Sequence, residues 1–226
     1  MYDPFSGRGT TVIESAILGR NVVANDINPL SAIFVLPRLN IPRIEDVGNR
    51  LREIPITGSR DEFDLLMFYH EKTQEEIRSL RSYLKKRKEA REEDEIDSWI
   101  RMVATNRLTG HSPGFFSVYT LPPNQAVSRD GQIKINKERN QTPPYRDTKE
   151  IILRKTRTLL ADVTPALQRQ LKTIAGKAKI LTGDARDTRI KEESVDLTVT
   201  SPPFLDVVDY AGDNWLRCWF NCLAVE

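Results

Sequence analysis

The chain has few of the residues that build disulfide frameworks or metal sites: two cysteines and two histidines in 226 residues. Cys218 and Cys222 stand four apart in an apolar stretch, on one face of an expected helix, where buried free thiols are the simplest reading. No further Cys or clustered His completes a ligand set, so no metal is expected. No apolar run approaches ~18 residues, which excludes a spanning helix from the expectation and, with it, a membrane partner. The first residues form neither a basic-then-apolar signal nor an amphipathic transit segment, so the expected location is cytoplasmic. Charge of one sign is scarce as well, with a formal net charge of only +2.

What is present is a globular composition, 39% hydrophobic and 29% charged. The length suits one large domain or a compact domain carrying an insertion. The small net charge is unevenly spread. Residues 129–157 hold nine Lys or Arg against four Asp or Glu. An excess of that kind suits a surface facing phosphates, and equally a solvated helix face.

The first forty residues read as strand, glycine loop, helix, strand. Asp3, Pro4 and Phe5 end a short strand, residues 6–11 turn tightly, and residues 11–18 form a helix closed by Gly19. Val22, Val23 and Ala24 are then a buried strand running into Asn25 and Asp26, a βαβ beginning that implies a parallel sheet. Residues 43–104 are mostly helical, with Phe63, Leu66, His70, Ile77, Leu80 and Leu84 as one apolar stripe. The run from Lys85 to Lys88 and the acidic run from Glu92 to Glu95 read as a solvated helix end or a helix–helix joint. Residues 105–147 read as a long loop punctuated by Gly and Pro, its Phe115, Phe116, Tyr119 and Tyr145 interleaved with basic side chains. Such aromatics either stack on bases or pack the loop itself. Helical pattern returns over 148–175, then strands over 178–182 and 195–200, and an apolar helix over 215–223.

Three features fall at the carboxyl ends of expected parallel strands, where open α/β sheets hold ligands. In DPFSGRGTT, residues 3–11, Gly7 and Gly9 let backbone approach a ligand, and the following helix offers free N–H groups. The string lacks the basic residue and spacing of a phosphate-clamping loop. Asp26, seventeen residues after Gly9, ends the next strand, where a carboxylate can accept both hydroxyls of a ribose or simply cap a turn. Ser201, Pro202, Pro203 and Phe204 follow the last strand; the prolines keep the backbone extended and leave carbonyls free to accept, beside an aromatic face.

Together, DPFSGRGTT with the Asp26 strand and TSPPF near the far end resemble the amino-group DNA methyltransferases. The first string resembles that family's cofactor motif, TSPPF its catalytic motif, and Gly183-Asp184-Ala185 the intervening cofactor motif. The resemblance covers residues 1–32 and 178–210. It implies S-adenosylmethionine as cofactor, with Asp3, Phe5, Gly7, Gly9 and Thr10 around its methionine portion, Asp26 on the ribose hydroxyls and Asp184 on the adenine amino group. Ser201 and the Pro202 carbonyl would accept from the target amino group beside Pro203, and Phe204 would stack on the base.

Ser at the head of the tetrad implies cytosine-N4 in DNA as the target; a restriction-modification system is the expected setting of such an enzyme. Adenine-N6 of DNA, an RNA base, and an inactive or split fragment are the alternatives. The expected fold is α/β, a Rossmann-like methyltransferase sheet flanked by helices. Its core would span 1–42 and 176–226, and a helical and loop insertion over 43–175 would serve target recognition. Lys134, Lys137 and Arg139 are the expected DNA contacts within that insertion. Only Met1 and Tyr2 precede Asp3, and 22 residues follow Phe204. The sheet is therefore expected to be incomplete at both ends, with a complementing chain or a second copy as partner.

Overall fold

Short apolar runs that end in glycine or aspartate become parallel strands here, and the longer periodic stretches become helices. A computed structural model describes residues 1–57, 64–121, 127–202 and 212–223. The chain is mixed α/β, and every described strand pair is parallel. It divides into two compact units, Met1–Pro42 with Asp162–Val207 and Arg43–Ala161 with Val208–Glu226.

The first unit is built on strands β1 (Tyr2–Asp3), β2 (Val23–Asp26) and β3 (Lys179–Thr182), side by side in the order β1-β2-β3. Register is fixed by Tyr2 opposite Val23 and by Val23 opposite Lys179. Residues 197–199 run along the other edge of β1 through a parallel bridge between Tyr2 and Thr198. There the Tyr2 N–H donates to the Leu197 carbonyl (2.8 Å) and the Val199 N–H to the Tyr2 carbonyl (3.1 Å). Parallel neighbours need crossovers, and helix α1 (Thr10–Ile17) supplies the one between β1 and β2.

Helix α2 (Leu30–Leu39) follows β2, and α8 (Pro165–Ala175) precedes β3. The core of this unit is Val12 and Ala16 of α1, Val22 and Ala24 at β2, Val35 and Leu39 of α2, and Leu171 and Ile174 of α8. Gln170 pins α8 to the end of α1, its Nε2 donating to the carbonyls of Ala16 (2.9 Å) and Ile17 (2.8 Å). That packing puts α8 with the sheet, whereas the sequence pattern groups it with the insertion over 43–175.

The second unit holds α3 (Ile44–Glu53), α4 (Glu71–Glu89), α5 (Glu95–Thr105), α6 (Arg129–Glu138), α7 (Thr148–Leu160) and α9 (Trp215–Asn221). Of the expected apolar stripe, Ile77, Leu80 and Leu84 are buried on α4. Leu66 is 46% exposed ahead of the helix, and Phe63 lies outside the described residues. His70 is the N-cap of α4, its Nδ1 accepting from the Lys72 N–H (3.2 Å), so Leu66 and His70 precede the helix and the stripe on it begins at Ile77.

The charged runs at 85–95 are both things the sequence allows: Lys85, Lys86, Lys88, Glu92 and Glu95 are exposed, while Arg87, Glu93 and Asp94 turn into a helix–helix joint. Asp97 on α5 is fully buried, and its carboxylate accepts from Arg87 Nε (2.8 Å), from Tyr83 Oη (3.2 Å) and from Arg50. Asp94 caps α5 through the N–H groups of Ile96 and Asp97 and pairs with Arg50 Nη2 (2.8 Å). Burial alone would raise its pKa; the hydrogen bonds from Arg50 and the Asp97 backbone outweigh it, and the carboxyl titrates below its ordinary value. Arg101 and Glu93 add a second inward pair (2.7 Å).

The expected long loop is more ordered than its Gly and Pro content suggests. Residues 129–138 within it are helix α6, capped by the Ser128 hydroxyl on the Gly131 N–H (3.1 Å). Phe115 and Phe116 are buried, and Arg146 closes the loop over them by donating to the carbonyls of Ser112 (3.1 Å), Phe115 (2.8 Å) and Ser117. These two aromatics pack the loop itself, so they present no ring face to a base. Helix α9 joins this unit through Asn221 Nδ2 on Thr105 Oγ1 (3.0 Å) and Arg81 Nε on the Trp219 carbonyl (2.8 Å). Cys218 is buried on α9, but Cys222 is exposed, because the helix ends at Asn221 and Cys222 takes the left-handed cap (φ 54°). The two thiols therefore do not share a buried face.

Among the described residues no helix is long and apolar enough to cross a membrane, and no three His, Cys, Asp or Glu gather as a metal site.

Candidate ligand site at the carboxyl ends of the strands

Four chain segments end at the same edge of the first unit: the loops after β1, β2 and β3, and residues 200–202 after the bridged segment. A dense set of hydrogen bonds ties these loops together, most of it using side chains at the strand ends.

Asp3 is buried at the end of β1, and its Oδ1 accepts both from the Phe5 N–H (3.2 Å) and from Thr200 Oγ1 (2.8 Å). The glycine loop then turns back on β2. Its Ser6 N–H donates to the Asn25 carbonyl (2.9 Å), the Ser6 hydroxyl donates to the same carbonyl (3.1 Å), and that hydroxyl stands 2.9 Å from Ser31 Oγ. The Gly7 N–H donates to Asp26 Oδ2 (2.7 Å), while Asp26 Oδ1 accepts from the Asn28 N–H (2.9 Å). Each Asp26 oxygen so far accepts one N–H. A carboxylate oxygen has two lone-pair directions, which leaves acceptor capacity on both for a vicinal diol.

Asn25 is a site residue that the sequence pattern does not single out. It is 2% exposed, and its Nδ2 donates to the carbonyls of Pro4 (3.3 Å) and Gly183 (3.0 Å), joining the loops after β1 and β3. Its neighbour Asp26 stands out through its charge; nothing in the pattern marks which of two adjacent polar residues points inward. Arg8 and Arg38 carry no such signal either. Arg38 Nη1 donates to the Arg8 carbonyl (3.1 Å), and the Arg8 guanidinium lies over the Phe34 ring (5.1 Å). Burial lowers the pKa of both, and Arg8 lowers that of Arg38 further. Two cations thus border the glycine loop, where they favour a ligand carboxylate over an uncharged group.

Gly7 and Asp26 are hydrogen-bonded to each other, while Asp3, at the end of the neighbouring strand, is bonded to Phe5 and Thr200. Phe5 is 37% exposed, and Thr10 is exposed at the first turn of α1. Gly9 is the N-cap of α1 with φ 78°, pressed against Val35. At Gly7 and Gly183 a side-chain Cβ would meet nothing within 4 Å, so both face open space at the strand ends.

Asp184 turns onto a neighbour. Its carboxylate accepts from Arg186 Nε (3.0 Å) and Nη2 (2.6 Å) and from the Arg186 N–H (2.8 Å). The guanidinium, then the backbone N–H, hold this carboxyl down at about 2. A ligand amino group meeting Asp184 shares or displaces that guanidinium. Ser201 and Pro202 are exposed directly after Thr200. Pro203 and Phe204 lie outside the described residues.

No protein-family model, curated protein or solved structure matches the chain.

The three cations expected to contact DNA are in the second unit. Lys134 and Lys137 are exposed on α6, and Arg139 follows at its C-cap. The Arg139 guanidinium lies 3.7 Å over the Tyr119 ring, so it also serves packing.

Proposed function

We propose that the chain is an S-adenosylmethionine-dependent methyltransferase acting on the exocyclic amino group of a nucleic-acid base, with cytosine-N4 of DNA as the target. One observation carries the reading. Across the sheet the order is residues 197–199, β1, β2, β3, which is 4-1-2-3 in chain order, or 3-2-1-4 from the other edge. That order matches one half of a doubly wound sheet with the first strand of the other, and the ligand crevice of such a sheet opens where the order reverses, between strands one and four. The two strings that resemble the methyltransferase motifs follow those two strands, DPFSGRGTT after β1 and TSPPF after 197–199. A Rossmann-like methyltransferase sheet is the fold that this order supports.

The residues present fit the cofactor. Gly7 and Gly183 leave room for a ligand at the strand ends, and Asp26 keeps an acceptor position on each oxygen. Bound there, S-adenosylmethionine supplies an electrophilic methyl group on a sulfonium. Asp26 would hold the ribose hydroxyls, Asp184 the adenine amino group, and Asp3, Phe5, Gly7, Gly9 and Thr10 the methionine end. The protein's own work is on the acceptor. An amino group conjugated to a base is a weak nucleophile because its lone pair is delocalised. Ser201 Oγ and the Pro202 carbonyl, accepting from its protons, favour a pyramidal nitrogen with a localised lone pair, and positioning does the rest. The base must leave the duplex to reach them, at a cost of about a few kcal/mol. The exposure of Ser201 and Pro202 suits a substrate that arrives from solvent. Lys134, Lys137 and Arg139 are proposed to meet the DNA backbone.

Calorimetry with S-adenosylmethionine tests the reading. Saturable binding by the wild type is expected, weakened at least about 10-fold in Asp26→Ala, since charge-assisted hydrogen bonds to two hydroxyls are removed. A folded wild-type protein that binds no cofactor would overturn it.

A further inference from the structure

A threonine directly before the tetrad does something that its strand does not require. In the strand-like run 195–200, valine would pair with β1 at least as well as threonine does. Thr200 instead spends its hydroxyl on Asp3 Oδ1 at 2.8 Å. Asp3 is 3% exposed, and a carboxylate that far from water needs donors. The same oxygen also accepts from the Phe5 N–H at 3.2 Å. One buried oxygen therefore holds both the first residues of the glycine loop and the residue before Ser201. The β1 hydrogen bonds to Leu197 and Val199 fix the strand up to residue 199, and Asp3 accepts from the side chain of the next residue.

We propose that Thr200 is a positioning residue: through Asp3 it fixes Ser201 and the Pro202 carbonyl relative to the glycine loop. The proposal rests on the methyltransferase reading and deepens it, since neither Thr200 nor Asp3 needs to touch the base. Its physical content is a distance. Methyl transfer requires the cofactor loop and the amino-holding groups to keep one separation, and a charge-assisted hydrogen bond to a buried oxygen is a short, stiff way to set it. Loss of the hydroxyl leaves both halves of the site intact but lets them drift. The signature is a fall in turnover with cofactor binding nearly unchanged.

The experiment compares wild type, Thr200→Val and Thr200→Ser in three readouts: thermal midpoint, S-adenosylmethionine affinity by calorimetry, and kcat and KM for transfer of a labelled methyl group to DNA. Valine keeps the volume and removes the donor; serine keeps the donor and removes the methyl. The expected result is a drop in kcat of about 10- to 100-fold in Thr200→Val. KM for DNA and cofactor affinity should stay within about threefold, and Thr200→Ser should recover most of the rate. Unchanged kcat in a folded Thr200→Val overturns the positioning role while leaving the methyltransferase reading standing. Equal losses in the valine and serine variants also overturn it, because the hydroxyl would not be the feature that matters. If Thr200→Val does not fold, the serine variant decides alone: near-wild-type kcat supports the role and a large loss contradicts it. A wild type that neither binds cofactor nor transfers methyl overturns the underlying reading, and the role with it.

Discussion

Gly7 and Gly9 are two residues apart in one loop and answer to different demands. Gly9 is held by packing: its φ is 78°, and a Cβ there would stand 2.3 Å from Val35 Cγ2. Gly9→Ala is expected to cost at least about 2 kcal/mol, from left-handed strain plus overpacking against α2. Gly7 has φ 51° but open space around it. Gly7→Ala should cost only about 1 kcal/mol of backbone strain. Its larger effect should be on ligand binding, because the methyl would occupy the space where a ligand meets backbone. Urea denaturation and cofactor calorimetry on the two variants separate these roles. A Gly7→Ala protein with full cofactor affinity would contradict a ligand on that side of the loop.

At the scale of elements, the ion cluster joining α3, α4 and α5 shows what sequence pattern can and cannot reveal. Asp97 has no water to fall back on, and its partners Arg50 and Arg87 come from two other helices. Asp97→Ala is expected to destabilise the second unit by about 1–3 kcal/mol, from the buried hydrogen bonds lost to Arg50, Arg87 and Tyr83, while the two half-buried arginines keep Asp94 as an anion. Denaturant unfolding reads this directly, and a loss under about 1 kcal/mol would mean that the arginines find water on relaxation. In the sequence Asp97 looks like one more acid after Glu92, Glu93 and Asp94. A charged run reads equally as a solvated helix end or a helix–helix joint, and which of its neighbours is buried is a tertiary outcome.

The strands around the site are far more legible, because each is a short apolar run closed by a glycine or an acid that only a turn tolerates well. Asp26 and the glycine loop stand out for that reason. Asn25, Arg186 and Thr200 do not: their roles come from neighbours 158 residues away (Asn25 to Gly183), two away (Arg186 to Asp184) and 197 away (Thr200 to Asp3). Helix α6 is hidden inside a Gly- and Pro-punctuated stretch, since its single buried side chain, Gln132, gives no apolar period.

On the whole-molecule scale, chemistry and charge are divided between the two compact units. The hydrogen-bonded strand ends belong to the first, and the exposed lysines of α6 to the second. Reversing Lys134 and Lys137 together to Glu should weaken DNA binding and flatten the slope of log K against log salt by roughly 0.9 for each phosphate no longer neutralised. Arg139 is better left in place, because its stacking on Tyr119 would confound the result. An unchanged salt slope would place the DNA-binding surface away from α6. Cofactor affinity should not respond to these reversals, because every described residue assigned to the cofactor lies in the other unit.

The most direct test of the central claim is nucleoside mass spectrometry after incubation of the protein with DNA and methyl-labelled S-adenosylmethionine, with Ser201→Ala as the control. The expected product is labelled N4-methylcytosine from the wild type, and none from a Ser201→Ala protein that still binds cofactor. Label found only in N6-methyladenine would contradict the choice of base, and no labelled nucleoside at all would contradict the methyltransferase itself.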